Sequence, residues 1–191
     1  CENLQGQELY LGAEVGSNGK IYCIPGHSTR VMQVDPLTDR AELIGPVLPG
    51  KYKWLRGVCC GNDIYGLPCH AQTVLKIHIE DDDSVTISQL PIDCDSAYPD
   101  DPEGAEQQRK QDWKYHGGSV SPVDGCIYCI PQSAARVLRI DPATDACTLV
   151  GPPLPGCYKW YGGVVGKQDN ALYGIPHNGP SVLRIHPTEG I

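Results

Sequence analysis

Histidine and lysine side chains recur at similar places in this 191-residue sequence, and they are the residues best suited to chemistry. An imidazole serves as a general acid or base or as a metal ligand, and an ammonium group attracts anions. These residues stand in segments rich in Gly, Pro and Asn, which predict loops. The candidate binding residues are His27, His70, His177, Asn178, Lys51, Lys53, Lys114 and Lys159.

The elements that would position these loops are short repeated strands. One motif occurs four times, with starts 43, 63 and 45 residues apart, and a second apolar motif follows each copy after ten residues. Alternation of side-chain direction with β-branched and aromatic residues predicts strands in both motifs. The first motif is IYCIP (21–25), IYGLP (64–68), IYCIP (127–131) and LYGIP (172–176), and the second is VMQVDP (31–36), VLKIHI (74–79), VLRIDP (137–142) and VLRIHP (182–187).

A third motif joins aromatic residues to a lysine and then to glycine. It reads YKWLRGV at 52–58, WKYHGGSV at 113–120 and YKWYGGVV at 158–165. Together with a short closing run, the motifs give four strands per repeat of ~45 residues, which is typical of a β-propeller blade. A β-sandwich is the alternative, but it does not explain a four-strand sequence repeat.

The predicted fold is therefore an all-β propeller of four-stranded antiparallel blades, within one domain over residues 1–191. About four blades are expected in this chain, and the last is incomplete because no fourth strand follows its third motif. An acidic insert loop at 92–112 separates the second and third blades. The blades are roughly 8–45, 52–90, 113–150 and 158–188.

The words GKIYCIP, RVLRIDPATD and CYKWYGGVV resemble kelch, NHL and lactonase-like β-propeller repeats, and similar repeats occur in algal and protist proteins. The resemblance covers residues 8 to 188 and concerns architecture. The kelch double glycine is present at 117–118 and 162–163 but is Arg56-Gly57 in the second blade. Propeller lactonases and lyases act at the channel mouth, often with a metal, so the resemblance would point to His27, His70 and His177.

In propeller topology, the loop between the second and third strands of a blade lies near the segment that precedes the first strand. The candidate residues are therefore expected around one shallow basin. Either this is a solvated rim, or it is a site for an anionic partner group. Blade 3 interrupts the set, since its matching loop carries Gln132-Ser133.

Large aromatic side chains are expected to fill the space between twisted blades. The glycine that follows them lets neighbouring backbones approach closely. The predicted blade-packing residues are Trp54, Trp113, Trp160, Tyr22, Tyr65, Tyr128 and Tyr173.

Neither a metal nor another cofactor is predicted. Cys126-x-x-Cys129 lies in a strand, where residues three apart point to opposite faces, and no second such pair exists among the ten cysteines. EDDDS at 80–84 lacks the spacing of a calcium loop and is interpreted as a solvated turn. The insert is interpreted as a flexible surface loop or an interaction arm, and no helix is expected.

The net charge of −8 argues against nucleic-acid partners, and no stretch is long enough to span a bilayer. The sequence begins at Cys1 without a recognisable signal peptide, so the N-terminus is expected to be processed or truncated. The compartment stays open.

No catalytic motif repeats along the chain, so the first hypothesis is a non-enzymatic scaffold for protein–protein interaction, as a subunit or fragment of a larger assembly. Self-association that closes the ring of blades is part of this hypothesis. The alternatives are a hydrolase or lyase, or a carbohydrate- or anion-binding propeller, acting at the channel mouth.

Overall fold

The computed structural model describes residues 5–191. Cys1, the start of the N-terminus that is expected to be processed or truncated, lies outside the described residues. The chain divides into two compact units between Gln89 and Leu90. Nearly all regular structure is strand, and the expected four-stranded antiparallel blades are confirmed.

Each blade is numbered in chain order, with its strands called A to D. Blade 1 holds β1 (Tyr10–Val15), β2 (Ile21–Pro25), β3 (Val31–Asp35) and β4 (Arg40–Ile44). Blade 2 holds β5 (Trp54–Cys60), β6 (Asp63–Pro68), β7 (Thr73–Ile79) and β8 (Val85–Asp93). Blade 3 holds β9 (Tyr115–Val120), β10 (Ile127–Pro131), β11 (Val137–Asp141) and β12 (Ala146–Val150). Blade 4 has three described strands, β13 (Trp160–Val165), β14 (Leu172–Pro176) and β15 (Leu183–Ile185).

The acidic insert is partly helical, which corrects the expectation of no helix. Its first residues, Ile92 and Asp93, pair in parallel with β12 and cover that edge strand. A 3₁₀ turn (Asp95–Ala97) and helix α1 (Pro102–Lys110) follow. The helix begins at Asp101, whose carboxylate accepts the Gly104 amide, a standard N-cap.

A buried glutamine fixes this helix to blade 3. The Gln108 amide group donates to the Tyr115 hydroxyl at 3.2 Å, and its oxygen accepts the Ala135 amide at 3.0 Å. Ala105 packs on the same side of the helix and is fully buried. Gln108 therefore attaches the helix to blade 3, which a composition rich in Asp, Glu and Pro does not indicate.

The core of each unit lies between two consecutive blades. We call the surface of blade 1 or blade 3 that packs on the following blade its front face, and use the same name for the equivalent surface of the other blades. The opposite surface of a blade is its back face. In the first unit, the front face of blade 1 packs on the back face of blade 2 through Tyr22, Ile24, Val31, Trp54, Ile64, Leu75 and Ile77. The second unit repeats the arrangement between blades 3 and 4 with Tyr128, Ile130, Val137, Trp160, Leu172, Leu183 and Ile185.

The double glycines allow blades 3 and 4 to approach backbone to backbone. A side chain on Gly117 would collide with the carbonyl of Gly162, and one on Gly163 would lie 2.9 Å from the backbone of Gly118. Gly117 has a φ of 95°, which also favours glycine. This is the close approach that the sequence motif predicts.

Two tryptophans pack between blades, but Trp113 does not occupy the same position. Trp54 and Trp160 are buried and donate their indole N–H to the carbonyls of Thr73 and Ser181, at 2.7 and 2.6 Å. In blade 3 the equivalent buried residue is Tyr115. The motif therefore aligns on its lysine, and the order of its two aromatic residues is reversed in WKY.

The first aromatic residue of the motif has a left-handed backbone. The φ angle is 48° at Tyr52, 52° at Trp113 and 53° at Tyr158. Blade 1 has Glu8 at the same place, with a φ of 52°. L-residues other than glycine seldom adopt this conformation, so four blades share one strained position.

The four B-strand tyrosines place their hydroxyls near a polar residue at the turn between strands A and B. Tyr128 and Tyr173 bond Asp124 and Asp169 at 2.9 and 2.6 Å. The Tyr22 hydroxyl accepts a hydrogen bond from the Asn18 side-chain amide at 3.1 Å, and the Tyr65 hydroxyl donates to the Asp63 carboxylate at 3.3 Å. The Tyr22 and Tyr128 rings lie in the cores of the first and second units, and Tyr65 is fully buried. Tyr173 lies on a face that stays partly open.

Within residues 5–191, no helix has the length and apolar character that crossing a membrane requires.

The alignment on lysine predicts unequal effects for Trp113 and Tyr115. Tyr115→Ala should lower the free energy of unfolding by about 3–5 kcal/mol, because it removes a buried ring and leaves Gln108 without its hydroxyl partner. Trp113→Ala should lower it by on the order of 1 kcal/mol. Urea denaturation of both variants measures the difference, and a larger loss for Trp113→Ala would contradict the alignment.

Candidate functional site

The loop between strands B and C, here the BC loop, is bonded to the aromatic segment of its own blade. The amides of Cys69 and Ala71 donate to the Lys53 carbonyl at 2.9 and 3.0 Å. Blade 4 repeats this pair, with His177 and Gly179 donating to the Lys159 carbonyl at 2.8 and 2.9 Å. The histidine-bearing loops and the aromatic segments therefore lie together within each unit, as the topology predicts.

The lysines of the aromatic segments do not face solvent, which differs from the sequence expectation. Lys53, Lys114 and Lys159 are 4%, 1% and 2% exposed. Lys53 Nζ donates to the carbonyls of Gly26 and Ser28 of blade 1, at 2.7 and 2.8 Å. A third bond runs to Gly50 at 3.2 Å, in the loop that precedes Lys53 itself.

Lys159 makes the same connection in the second unit. Its Nζ donates to the carbonyls of Ala134 in blade 3 and Gly156 in its own loop, both at 2.9 Å. The ammonium groups of Lys53 and Lys159 also lie 5.9 and 5.8 Å from the ring centres of the adjacent Trp54 and Trp160. Each lysine thus fastens one blade to the BC loop of the preceding blade.

Burial changes the acidity of these lysines. Desolvation lowers the pKa of Lys53 and of Lys159 to about 8. With their protons committed to carbonyls, these groups are structural and do not offer a charge to a ligand. Lys51 is exposed and keeps that possibility.

In the first unit, two of the predicted histidines meet at one tyrosine. The His27 ring packs edge-on against Tyr52 at 4.3 Å between centroids, and the His70 ring lies 5.2 Å from the same tyrosine. Glu8 approaches His27 Nε2 at 3.8 Å and raises the pKa of Tyr52 by accepting its hydroxyl proton in a hydrogen bond. This set is called the first histidine–tyrosine cluster.

A cleft of about 330 Å³ lies beside this cluster. Its rim carries one exposed ammonium, one imidazole and several amide or hydroxyl groups, which suits a small polar ligand. Its polar lining residues include Lys51, His70, Gln72, Thr73 and Gln89.

The second unit contains a stack of three rings that the sequence did not reveal. Tyr161 lies between His116 and His177, at centroid distances of 4.3 and 4.6 Å with interplanar angles of 31° and 28°. The amide group of buried Gln132 lies 3.5 Å from the Tyr161 hydroxyl. This set is called the second histidine–tyrosine cluster.

His116 supplies the imidazole that the BC loop of blade 3 lacks. It stands on strand A directly before the double glycine, at the position of Tyr161 in blade 4. The signal in the sequence is the histidine of WKYHGG, which a prediction confined to the BC loops does not include. Asn178 is exposed, and its amide donates to the Tyr158 carbonyl at 3.0 Å.

The Cys-x-x-Cys pair does not present reactive thiolates. Desolvation raises the pKa of Cys126 to about 11, although the Arg139 guanidinium lies 2.8 Å from its sulfur. Cys129 is fully buried, and its pKa is also raised by desolvation. Over the described part of the chain, no three His, Cys, Asp or Glu side chains converge as a metal site requires.

Comparisons with known proteins show the fold. No family model matches the chain, and no curated protein matches it. The solved structures it resembles include virginiamycin B lyase from Staphylococcus aureus, with a TM-score of 0.66, 18% identity, and coverage of 99% of this chain and 56% of the lyase. Hydrazine synthase from Kuenenia stuttgartiensis gives 0.62 at 14% identity, with 96% and 49% covered.

A protein of unknown function from Desulfotomaculum acetoxidans gives a TM-score of 0.63 at 11% identity, with 98% and 55% covered. The chain thus spans about half the length of these structures. At such low identity the likeness concerns the fold alone, and the resemblance to kelch, NHL or lactonase-like repeats in particular stays a prediction. The chain has a β-propeller type of fold.

Burial of the lysines predicts unequal chemical reactivity along one short loop. Lys51 should be acetylated rapidly in the folded protein, and Lys53 should be protected because its amine bonds three carbonyls. Brief treatment with an amine-reactive reagent, followed by peptide mass spectrometry, measures both sites in one sample. Equal labelling of Lys51 and Lys53 without unfolding would contradict the burial.

Proposed function

We propose that this chain is a non-enzymatic propeller module that works by binding another polypeptide. The observation that carries the proposal is the front face of blade 4. Val164, Ile175 and Val182 are 58%, 51% and 53% exposed there. Their counterparts in blade 2, Val58, Leu67 and Val74, are all buried.

The exposed positions are the ones that form blade-to-blade cores elsewhere. Ile175 corresponds to Ile24 in blade 1 and Ile130 in blade 3, both fully buried within their units. Val182 corresponds to Val31 and Val137 in the same way. An apolar sheet face with these side chains uncovered is typical of a protein-binding surface.

The surroundings of this face also suit an interface. Tyr173 and Arg184 lie at one end of it, and both bond the Asp169 carboxylate, at 2.6 and 3.3 Å. Arg184 extends a second bond to Glu189 at 2.8 Å. An apolar centre with a polar border is the usual composition of a protein–protein interface.

The test is the native mass of the protein in extract from its source. A tagged chain should migrate in a complex, and replacing Ile175 and Val182 by Asp should release it as a species near 20.7 kDa, because two carboxylates would be buried at the contact. Size exclusion with light scattering measures the mass.

Leu37→Asp is the matched control, since Leu37 is an exposed apolar residue in the turn between β3 and β4 and lies on no sheet face. It should leave the complex intact. A chain that migrates alone in extract, or a complex that survives the double substitution, would refute the proposed function.

A ligand-binding or catalytic function at the channel mouth is the second candidate, and the second histidine–tyrosine cluster favours it. Three aligned rings beside an amide resemble a stacking platform for a sugar or another flat ligand. A lyase is among the structures with this fold. The candidate reactions are those of a hydrolase or lyase, with imidazole as general base.

His177→Ala and His116→Ala test this second candidate. Each should abolish binding on a glycan array, or turnover in a hydrolase and lyase substrate screen, while the circular dichroism spectrum stays unchanged. Lys167→Ala, an exposed change elsewhere, is the control. A blank array and screen for the wild-type protein would remove this candidate.

A further inference from the structure

Among residues 5–191, the back face of blade 1 is a further sheet surface that is uncovered. Leu43 is 41% exposed there, whereas its counterpart Leu149 in blade 3 is 8% exposed. Ile21, Met32 and Val34 are only partly buried. These four residues are cross-strand neighbours on β2, β3 and β4.

The equivalent positions in the other blades are closed. Leu138 and Ile140 of blade 3 are fully buried, as are Leu75 and Ile77 of blade 2. In blade 4, Leu183 and Ile185 are buried against the front face of blade 3. Blade 1 therefore carries an open back face, and blade 4 carries an open front face.

These two open faces are the two halves of an interface that the chain already builds twice. Front face against back face joins blades 1 and 2 in the first unit, and blades 3 and 4 in the second. The participating residue types recur, with Ile and Val on the front faces and Leu or Ile on the back faces. A surface that matches the open front face of blade 4 therefore exists on every copy of this chain.

We propose that the front face of blade 4 binds the back face of blade 1 of a second copy of this chain. This inference rests on the proposed function and names the partner. The contact is heterologous, because it joins two different surfaces and not one surface to itself. Ile175 and Val182 of one copy face Met32 and Leu43 of the other.

The contact differs from the internal ones at one position. The Leu9 carbonyl accepts hydrogen bonds from the Gly26 and Ser28 amides at 2.9 and 3.0 Å, as the Lys53 carbonyl does from its own BC loop in blade 2. Leu9 therefore occupies in blade 1 the position that lysine has in the other blades. Leucine has no ammonium to bond the BC loop carbonyls of the partner's blade 4. The contact between copies is therefore expected to be reversible, whereas the internal ones are supported by a buried lysine.

The test uses two purified variants, each damaged on one face. Ile175→Asp places a carboxylate on the apolar front face of blade 4, and Leu43→Asp places one on the apolar back face of blade 1. Both residues are exposed enough for the variants to fold, which circular dichroism verifies. Light scattering should show the wild-type chain at twice 20.7 kDa or more and each variant alone as a monomer.

Mixing the variants is the decisive step. The Leu43→Asp chain keeps an intact blade 4 and the Ile175→Asp chain keeps an intact blade 1, so one sound contact remains possible. The mixture should form a 1:1 dimer and nothing larger. Leu37→Asp again serves as the control and should associate like the wild type.

The outcomes separate this inference from the proposed function. If Leu43→Asp associates normally while Ile175→Asp is monomeric, the back face of blade 1 is overturned as the surface that is bound, but the blade 4 face remains an interaction surface. A monomeric wild type, or a mixture that fails to dimerise, also overturns the inference alone. If Ile175→Asp associates like the wild type, the blade 4 face itself is wrong and the proposed function falls with it.

Discussion

A buried ammonium group bonded to backbone carbonyls is the interaction on which the blade-to-blade junction inside each unit depends. Lys53 and Lys159 both reach into the BC loop of the preceding blade while their own carbonyls hold the BC loop of their own blade. One residue therefore satisfies polar groups on two consecutive loops. Left without the ammonium, those buried carbonyls would each lose a charge-assisted partner, which is why the lysine recurs with the fold.

Burial of these lysines changes which side chains the loops at the rim of the blades can offer to a ligand. Since the ammonium groups are used inside the blades, imidazole and phenol rings are what the loops present to a ligand, together with Lys51. The first and second histidine–tyrosine clusters use different strand positions to reach a similar set of groups. The open front face of blade 4 carries one phenol, that of Tyr173, at its polar end, and Ile21, Met32, Val34 and Leu43 line the open back face of blade 1.

The repeat made the strands and blades predictable, because alternating side chains and turn residues act locally. The side-chain environment was harder to predict. Lysine in a loop is normally solvated, and only a carbonyl cage from another blade explains its burial at Lys53. Matching tryptophan to tryptophan predicts Trp113 as a blade-packing residue, but the three motifs align on their lysine, which puts Tyr115 at that position. Helix α1 was not predicted because its attachment depends on tertiary hydrogen bonds of Gln108, to the Tyr115 hydroxyl and the Ala135 amide.

The left-handed position that precedes Lys53, Lys114, Lys159 and, in blade 1, Leu9 carries a side chain in all four blades. Glycine would adopt a φ near 50° without strain, yet no blade uses it at this position; the residues are Glu8, Tyr52, Trp113 and Tyr158. At these four equivalent sites the backbone conformation favours glycine, but the sequence has a residue with a side chain. A side chain at this position can make a contact that glycine could not, as the Tyr52 ring does against His27 at 4.3 Å between centroids.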